Sequence, residues 1–527
     1  TPSRSTCSHN LGISMRLMYT FSTPAKLLAS LLEKKVSNNT KFGTNDTPES
    51  IMEPNKVNEF SSIESETLDP CGLKLQRPLS RTSYERNDDQ ADWSKRLKVD
   101  LDKYYALESV DLFCGYPWNS ALMPKSCSFS RCNKVMQEGG HVVHGNWQAQ
   151  SVEVSRTRTG YLQELWKVHM ESCVDASPLV VFKGSDIYLF IGSHSHKFLC
   201  INAKSGFTQW ETRLQGRVEG SAAIIGDFSQ VVVGCYDGNI YFLEFLNGNI
   251  CWTFHTSGEV KCQPIVDAHR GLIWCGSHDH NLYALDHINK CCLYMLPCGG
   301  SIFGSPAVDE ARSALYVAST SGRVTAISIK ELPFCTLWLH ELVVPVFGSL
   351  SISSPNGYVI CCLVDGHVVA LDSSGSIVWK RRTGGPIFAG ACLSSALPSR
   401  VLICSRNGSV YSFEMEKGEL LWEVNVGDPI TASAYIDENL QLVSNDPSIS
   451  AERLVCVCTS SGGIFLFQIN SDEGIRNHQR KYVVREFARL KLEGDVFSSP
   501  VMIGGRIFVG CRDDYLHCIA LLLKPET

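Results

Sequence analysis

Gly276 to Asp286 reads GSHDHNLYALD, a short polar turn followed by alternating apolar residues and an acid. The phrase returns as GSHSHKFLCIN from Gly192, GCYDGNIYFLE from Gly234, ASTSGRVTAIS from Ala318, CLVDGHVVALD from Cys362, CSRNGSVYSFE from Cys404, CTSSGGIFLFQ from Cys458 and GCRDDYLHCIA from Gly510. Eight copies mark an internal repeat, and a repeat decides the architecture before any single segment does. In each copy an apolar run enters two to four turn residues, such as Asp237-Gly238 or Asn407-Gly408, and period-two alternation follows. Asp-Gly and Asn-Gly accept the positive φ angles of a tight hairpin turn, so each copy predicts a β-hairpin.

Two further markers flank every hairpin. Upstream stands a small-residue strand start: DASP at Asp175, EGSA at Glu219, KCQP at Lys261, FGSP at Phe303, FGSL at Phe347, FAGA at Phe388, TASA at Thr431 and FSSP at Phe497. Downstream an aromatic ends the unit at Trp210, Trp252, Tyr294, Trp338, Trp379 and Trp422. The starts lie 44, 42, 42, 44, 41, 43 and 66 residues apart, the last gap lengthened by an insertion around Leu440 to Glu452 and a polar run. Four short strands fill such a period, which is the spacing of a propeller blade. The eighth unit reaches Thr527 without its aromatic strand, whereas Trp166 stands 44 residues before Trp210 with no start of its own. The Trp166 strand is therefore expected to complete the Phe497 blade and close an eight-bladed, all-β ring.

The runs LDSSGSIVWK from Leu371, INAKSGFTQWE from Ile201 and MEKGELLWE from Met415 resemble the repeat of pyrroloquinoline-quinone (PQQ) type, quinoprotein-alcohol-dehydrogenase-like propellers. The resemblance covers residues 160 to 520 and carries the fold more strongly than the function, because one such fold hosts unrelated activities. Near the N-terminus, HNLGISMRLMYTFSTPAKLLASLLEKK from His9 resembles the end of an acyl or peptidyl carrier domain, with Thr23 as helix cap and Pro24 at the first helical position. A carrier holds phosphopantetheine on a serine in a glycine-rich context; TPSRSTCS places no glycine beside Ser3, Ser5 or Ser8, so no serine is assigned that role. A carrier end followed by this kind of propeller is similar to the C-terminal part of the β-alanine-activating enzymes, non-ribosomal-peptide-synthetase-like members of the acyl-CoA synthetase superfamily.

That resemblance implies upstream adenylation and carrier domains as partners, with ATP, Mg²⁺ and phosphopantetheine as the whole enzyme's cofactors. It leaves the chain itself a noncatalytic binding or scaffolding module, with a protein or small-molecule acceptor as its further partner. Two other readings stand beside it: a PQQ-dependent oxidoreductase, and a free-standing interaction propeller. The quinone reading is disfavoured because six tryptophans (Trp166, Trp210, Trp252, Trp338, Trp379 and Trp422) fall in the outer-strand register, where packing between blades is their expected role. The domain reading is 1–35 carrier remnant, 36–159 largely disordered polar linker with a helical patch near 93–113, and 160–527 propeller.

A net charge of −6 argues against a nucleic-acid surface, and no apolar run or secretory segment is long enough to place the protein in or across a membrane, so a cytoplasmic setting is expected. The 23 cysteines scatter through strand positions, unlike a disulfide framework, and read as buried reduced thiols. Cys127, Cys132, His141 and His144 have spacing too short for a zinc finger, and the adjacent pairs Cys291-Cys292 and Cys361-Cys362 read as strand packing. His194, His196, His278 and His280 at the hairpin tips read as solvent-exposed turn residues. No metal or catalytic residue is assigned. The candidate site is the first residue of each strand start: Asp175, Glu219, Lys261, Phe303, Phe347, Phe388, Thr431 and Phe497. They are expected to ring one mouth of the central channel, a charged arc beside an aromatic arc, fit for an amphipathic ligand or peptide. On this reading Lys261 is exposed, and reversing its charge costs the fold little.

Overall fold

The computed structural model describes residues 126–131, 134–138, 141–142, 152–225, 228–354, 356–446, 449–470 and 484–524. The carrier-like stretch and the helical patch near 93–113 lie outside the described residues. Every named element is a β-strand, and the strands form an eight-bladed propeller of successive antiparallel sheets. Among the described residues no helix is long and apolar enough to cross a membrane.

Blades two to five each run as four-stranded meanders, the third being Ile265–Asp267, Leu272–Gly276, Asn281–Asp286 and Cys291–Pro297. Blade six has three strands, with a bridge from Cys392 to Leu402 standing for its innermost one. The last blade joins Val501–Ile503, Arg506–Gly510 and Tyr515–Leu523 to Gly160–His169, with Cys518 opposite Trp166. The expected closure by the Trp166 strand is thus what the strands do: the two ends of the propeller share one sheet, which leaves no open edge between first and last blade.

Strand alternation sends neighbouring side chains into different interblade cores. Val180 and Phe182 pack toward blade eight, while Leu179 and Val181 pack toward blade two. Cys361 and Cys362 obey the same rule, Cys361 entering the core with blade four and Cys362 the core with blade six. Four of the outer tryptophans clamp their blade to the next. Trp210 Nε1 donates to the Phe245 carbonyl at 2.9 Å, and its ring lies so close to Gly248 (φ +73°) that a Cβ there would sit 2.4 Å from it. Trp166, Trp338 and Trp379 make the same donation to Lys204, Ser373 and Met415.

The small residues of the strand starts form a tight belt around the channel. The Gln263 amide donates to Ser305 Oγ, Ser305 to Ser349 Oγ, Ser433 to Ser499 Oγ and Ser499 to Ser177 Oγ, at 2.8 to 3.1 Å. Just before these serines the backbones nearly touch: a Cβ on Gly304 would meet the Gly348 carbonyl oxygen at 2.3 Å. Four strands come from the stretch read as linker, Ser126–Phe129, Lys134–Glu138, His141–Val142 and Val152–Ser155, and two of them join blades directly. Ser126–Phe129 pairs with the inner strand of blade one, and Val152–Ser155 runs parallel to Leu440–Val443 of the blade-seven insertion. The linker reading gives way at both places because Cys127, Phe129 and Val154 are buried in the interblade cores.

Candidate functional site

The third residue of the repeated phrase sits at a hairpin tip, and in every blade its amide donates to the carbonyl two residues before that blade's strand start. His194 bonds Cys173, Tyr236 bonds Arg217, His278 bonds Glu259 and Arg512 bonds Asp495, at 2.8 to 3.1 Å. Thr320, Val364, Arg406 and Ser460 repeat the contact with Ser301, Pro345, Pro386 and Pro429. This backbone rule places each tip side chain beside a strand-start side chain, so two rings of residues share one mouth.

Contacts run along the mouth from Phe497 to Phe388. Arg512 stacks on the Phe497 ring at 4.0 Å and grips Asp175 with Nε and Nη2. His194 Nε2 lies 3.3 Å from both Asp175 Oδ2 and Glu219 Oε1. Glu219 also accepts from Tyr236 at 2.6 Å and pairs with Arg217 at 3.1 Å and Lys261 at 3.9 Å. The Lys261 ammonium then lies over the Tyr236 and Phe303 rings, 4.3 and 5.0 Å from their centroids. His278 packs on Phe303 at 4.1 Å, Phe303 on Phe347 at 4.9 Å and Phe347 on Phe388 at 5.8 Å. Thr431 meets Ser460 Oγ at 3.3 Å. Seven strand-start residues are therefore joined in one run of contacts, charged from Asp175 to Lys261 and aromatic from Phe303 to Phe388, with Thr431 beside Ser460.

Electrostatics follow from this half-dry setting. Burial opposes ionisation of Asp175, yet Arg512 and His194 hold its carboxyl at about 2. Burial likewise opposes the His194 imidazolium, but the two flanking carboxylates raise it to about 9, so His194 is a cation at neutral pH. Burial lowers Lys261 to about 8 against the pull of Glu219. Burial and the Lys261 charge lower His278 to about 4, which keeps it neutral.

Three expectations change. His194 and His278 are half-buried members of the mouth, because the tip amide bond turns them inward; His196 and His280 are exposed at positive φ of 71° and 75°, as expected of turn residues. Lys261 is not an exposed charge: its side chain is 7% accessible, flattened against two rings. Arg217, Tyr236 and Arg512 join the site unforeseen, although the third letter of the phrase marked Tyr236 and Arg512. Asp175, His194 and Glu219 could present three ligand atoms to a cation, since these atoms lie within 4.8 Å of one another. Ligation would require His194 to shed its proton and the carboxylates to release their arginines, so the arrangement favours an ion-pair network. Of the short-spaced Cys/His set, Cys127 is buried in its strand, and the side chains of Cys132, His141 and His144 lie outside the described residues.

Fold and closure together define an eight-bladed β-propeller whose strand starts carry a mixed polar and aromatic ring. Residues 170–521 match the family described as the β-propeller of the β-alanine-activating enzyme, and the chain belongs to that family. The human β-alanine-activating enzyme is 33% identical over 360 residues, 68% of this chain and 30% of that protein. The Drosophila melanogaster enzyme is 27% identical over 379 residues, 68% of this chain and 35% of that protein. The chain thus spans about a third of the length of these curated relatives. Among solved structures, the C-terminal WD40 domain of Sif2 superposes with a TM-score of 0.52 at 14% identity, covering 70% of this chain and 99% of that one. BamB from Moraxella catarrhalis gives 0.50 at 14% identity, covering 68% and 99%. At such identities the likeness shows the fold alone.

Proposed function

We propose that the propeller is a noncatalytic binding module of a longer, cytoplasmic acid-activating enzyme, and that its mouth receives a partner segment or ligand with an anionic end and an apolar body. The observation that carries this reading is the junction at Lys261, where the charged arc passes into the aromatic arc within one residue. Arg217, Arg512, Lys261 and protonated His194 outnumber Asp175 and Glu219, so the charged arc favours an anion. Phe303, Phe347 and Phe388 offer the apolar seat beside it. The adenylation and carrier domains are the partners of this reading, and ATP, Mg²⁺ and phosphopantetheine act in those domains.

Calorimetric titration of the propeller with the enzyme's separately produced adenylation and carrier domains tests the proposal. Lys261→Met keeps the stem over Tyr236 while removing the charge, and Phe347→Leu keeps most of the packing while removing the ring. Each should weaken binding about tenfold, the loss of about 1.4 kcal/mol. Undiminished binding by both variants would move the site away from this mouth, and no binding of either domain by the parent would remove them as partners.

A further inference from the structure

On the far side of the belt from the mouth, the channel widens into a cavity of about 550 Å³. Its walls come mainly from the inner strands of blades three to seven just past the belt, with Ser351, Ser394, Tyr435 and Asn439 among them. One wall does not belong to a blade. The segment Phe129-Ser130-Arg131 enters from the stretch ahead of the propeller, anchored by the pairing of Phe129 with Val180 and by the Phe129 ring meeting Phe182 edge-on at 5.7 Å. From that anchor the segment spans the channel: Ser130 Oγ accepts from Gln263 Nε2 of blade three at 2.8 Å, and Arg131 Nη2 donates to Ser349 Oγ of blade five at 2.7 Å.

A guanidinium carries five donors and is expensive to desolvate alone. Arg131 is half-buried, it lines the cavity, and among the described residues its hydrogen bond is the one to Ser349. Of the three carboxylates that line the cavity, Glu310 is exposed and the other two are engaged elsewhere. Asp309 pairs with Arg312 at 3.0 Å, and Glu438 accepts from Ser394 Oγ at 2.7 Å and from the Ser395 amide at 2.9 Å. Among the described residues the Arg131 guanidinium thus has a hydroxyl and no carboxylate as its partner, in a lining of hydroxyls, the Asn439 amide and three carboxylates, and in a space within the roughly 300 to 1,000 Å³ of small-molecule sites. Arginine in such a place recognises planar or tetrahedral oxyanions by forked hydrogen bonds.

We propose that this cavity is a second binding site, for a small organic oxyanion, a carboxylate or phosphate ester, whose charged head pairs with Arg131. The site is distinct from the mouth, because the serine belt separates them. Its key residue comes from the segment that leads into the propeller, so the site is complete only when that segment is docked.

The test is thermal melting of the full chain in acetate and, separately, in inorganic phosphate, each against chloride at equal ionic strength. A saturable rise in melting temperature is expected with at least one anion, and the better anion identifies the head group. Arg131→Gln should abolish the rise. Arg131→Lys, which keeps the charge and loses the fork, should need about tenfold more anion for the same rise. Because the mouth also favours an anion, the part of the rise lost in Arg131→Gln should be the same in the parent and in a Lys261→Met background, which separates this site from the one proposed there. No saturable rise up to tens of millimolar of either anion, or an equal rise in Arg131→Gln, would overturn the proposal. If Arg131→Gln does not fold, an Arg131→Lys response identical to the parent's would do the same.

Discussion

Arg512 of the last blade holds Asp175 of the first through two near-parallel hydrogen bonds, Nε to Oδ1 at 2.8 Å and Nη2 to Oδ2 at 2.6 Å. The pair lies at the channel mouth, so the seam where the ring closes is tied there by an ionic fork as well as at its rim by a shared sheet. Asp175 is almost wholly buried, its side chain 9% accessible, and removing Arg512 leaves it with His194 as its one remaining cationic partner in contact among the described residues. Arg512→Met should cost about 3 kcal/mol in urea denaturation. Asp175→Asn in the same chain should restore part of it, giving a favourable coupling energy in the double-mutant cycle. Additive single effects would show that the fork contributes nothing to closure.

The rim closure makes a separate prediction. The Gly160–His169 strand covers the whole edge of Tyr515–Leu523. Deleting residues 160–170 should expose that edge, with aggregation or loss of a cooperative melt. Trp166→Ala should be milder, about 2 kcal/mol, because Trp166 is half-buried against Gly206. A chain beginning at Ser172 that melts like one beginning at Arg156 would rule out this closure.

The eight blades were legible because hairpin turn, small strand start and outer tryptophan recur together, and each has its own physical cause. Turn residues need positive φ, belt residues need to be small, and Trp210 needs a glycine at Gly248 to lie against. The strand-start ring was legible for the same reason, since equivalent positions in equivalent blades must share one radius. The tip ring was hidden because Tyr236 and Arg512 look like ordinary turn residues until the amide bonds to Arg217 and Asp495 fix their direction. Ser126–Phe129 and Val152–Ser155 were hidden for another reason. Four-residue strands carry too little alternation to stand out, and their partners Leu179–Lys183 and Leu440–Val443 are remote in sequence.

The burial of Lys261 changes what its reversal should do. In Lys261→Glu the new carboxylate would stand near Glu219 and against the negative faces of Tyr236 and Phe303. A loss of about 2 kcal/mol or more is expected, in place of the negligible cost of an exposed change. Phe347→Ala should cost about 3 kcal/mol, because Phe347 is 6% accessible between Phe303 and Phe388. Chemical denaturation checks both, and losses below about 0.5 kcal/mol would mean that the mouth is not packed as described.

The final prediction is the pH dependence that His194 imposes. Its folded-state value of about 9 lies above the ordinary imidazole value, because Asp175 and Glu219 outweigh the opposing effect of burial. A base raised in this way stabilises the fold fully below its unfolded value of about 6.5, and that stabilisation disappears as pH rises through about 9. Lys261 acts in the opposite sense. Its folded value is lowered to about 8, so the penalty for burying its charge lessens as pH rises above that point. The parent curve alone therefore understates the His194 contribution. Comparison with His194→Gln isolates it, since the variant keeps Lys261 and loses only the titrating ring. The parent should exceed the variant in urea midpoint by the largest margin at pH 6, by less at pH 8, and by almost nothing at pH 10. A margin that stays constant across that range would mean that the carboxylates of the mouth are held together by Arg512, Arg217 and Lys261 without an imidazolium between them.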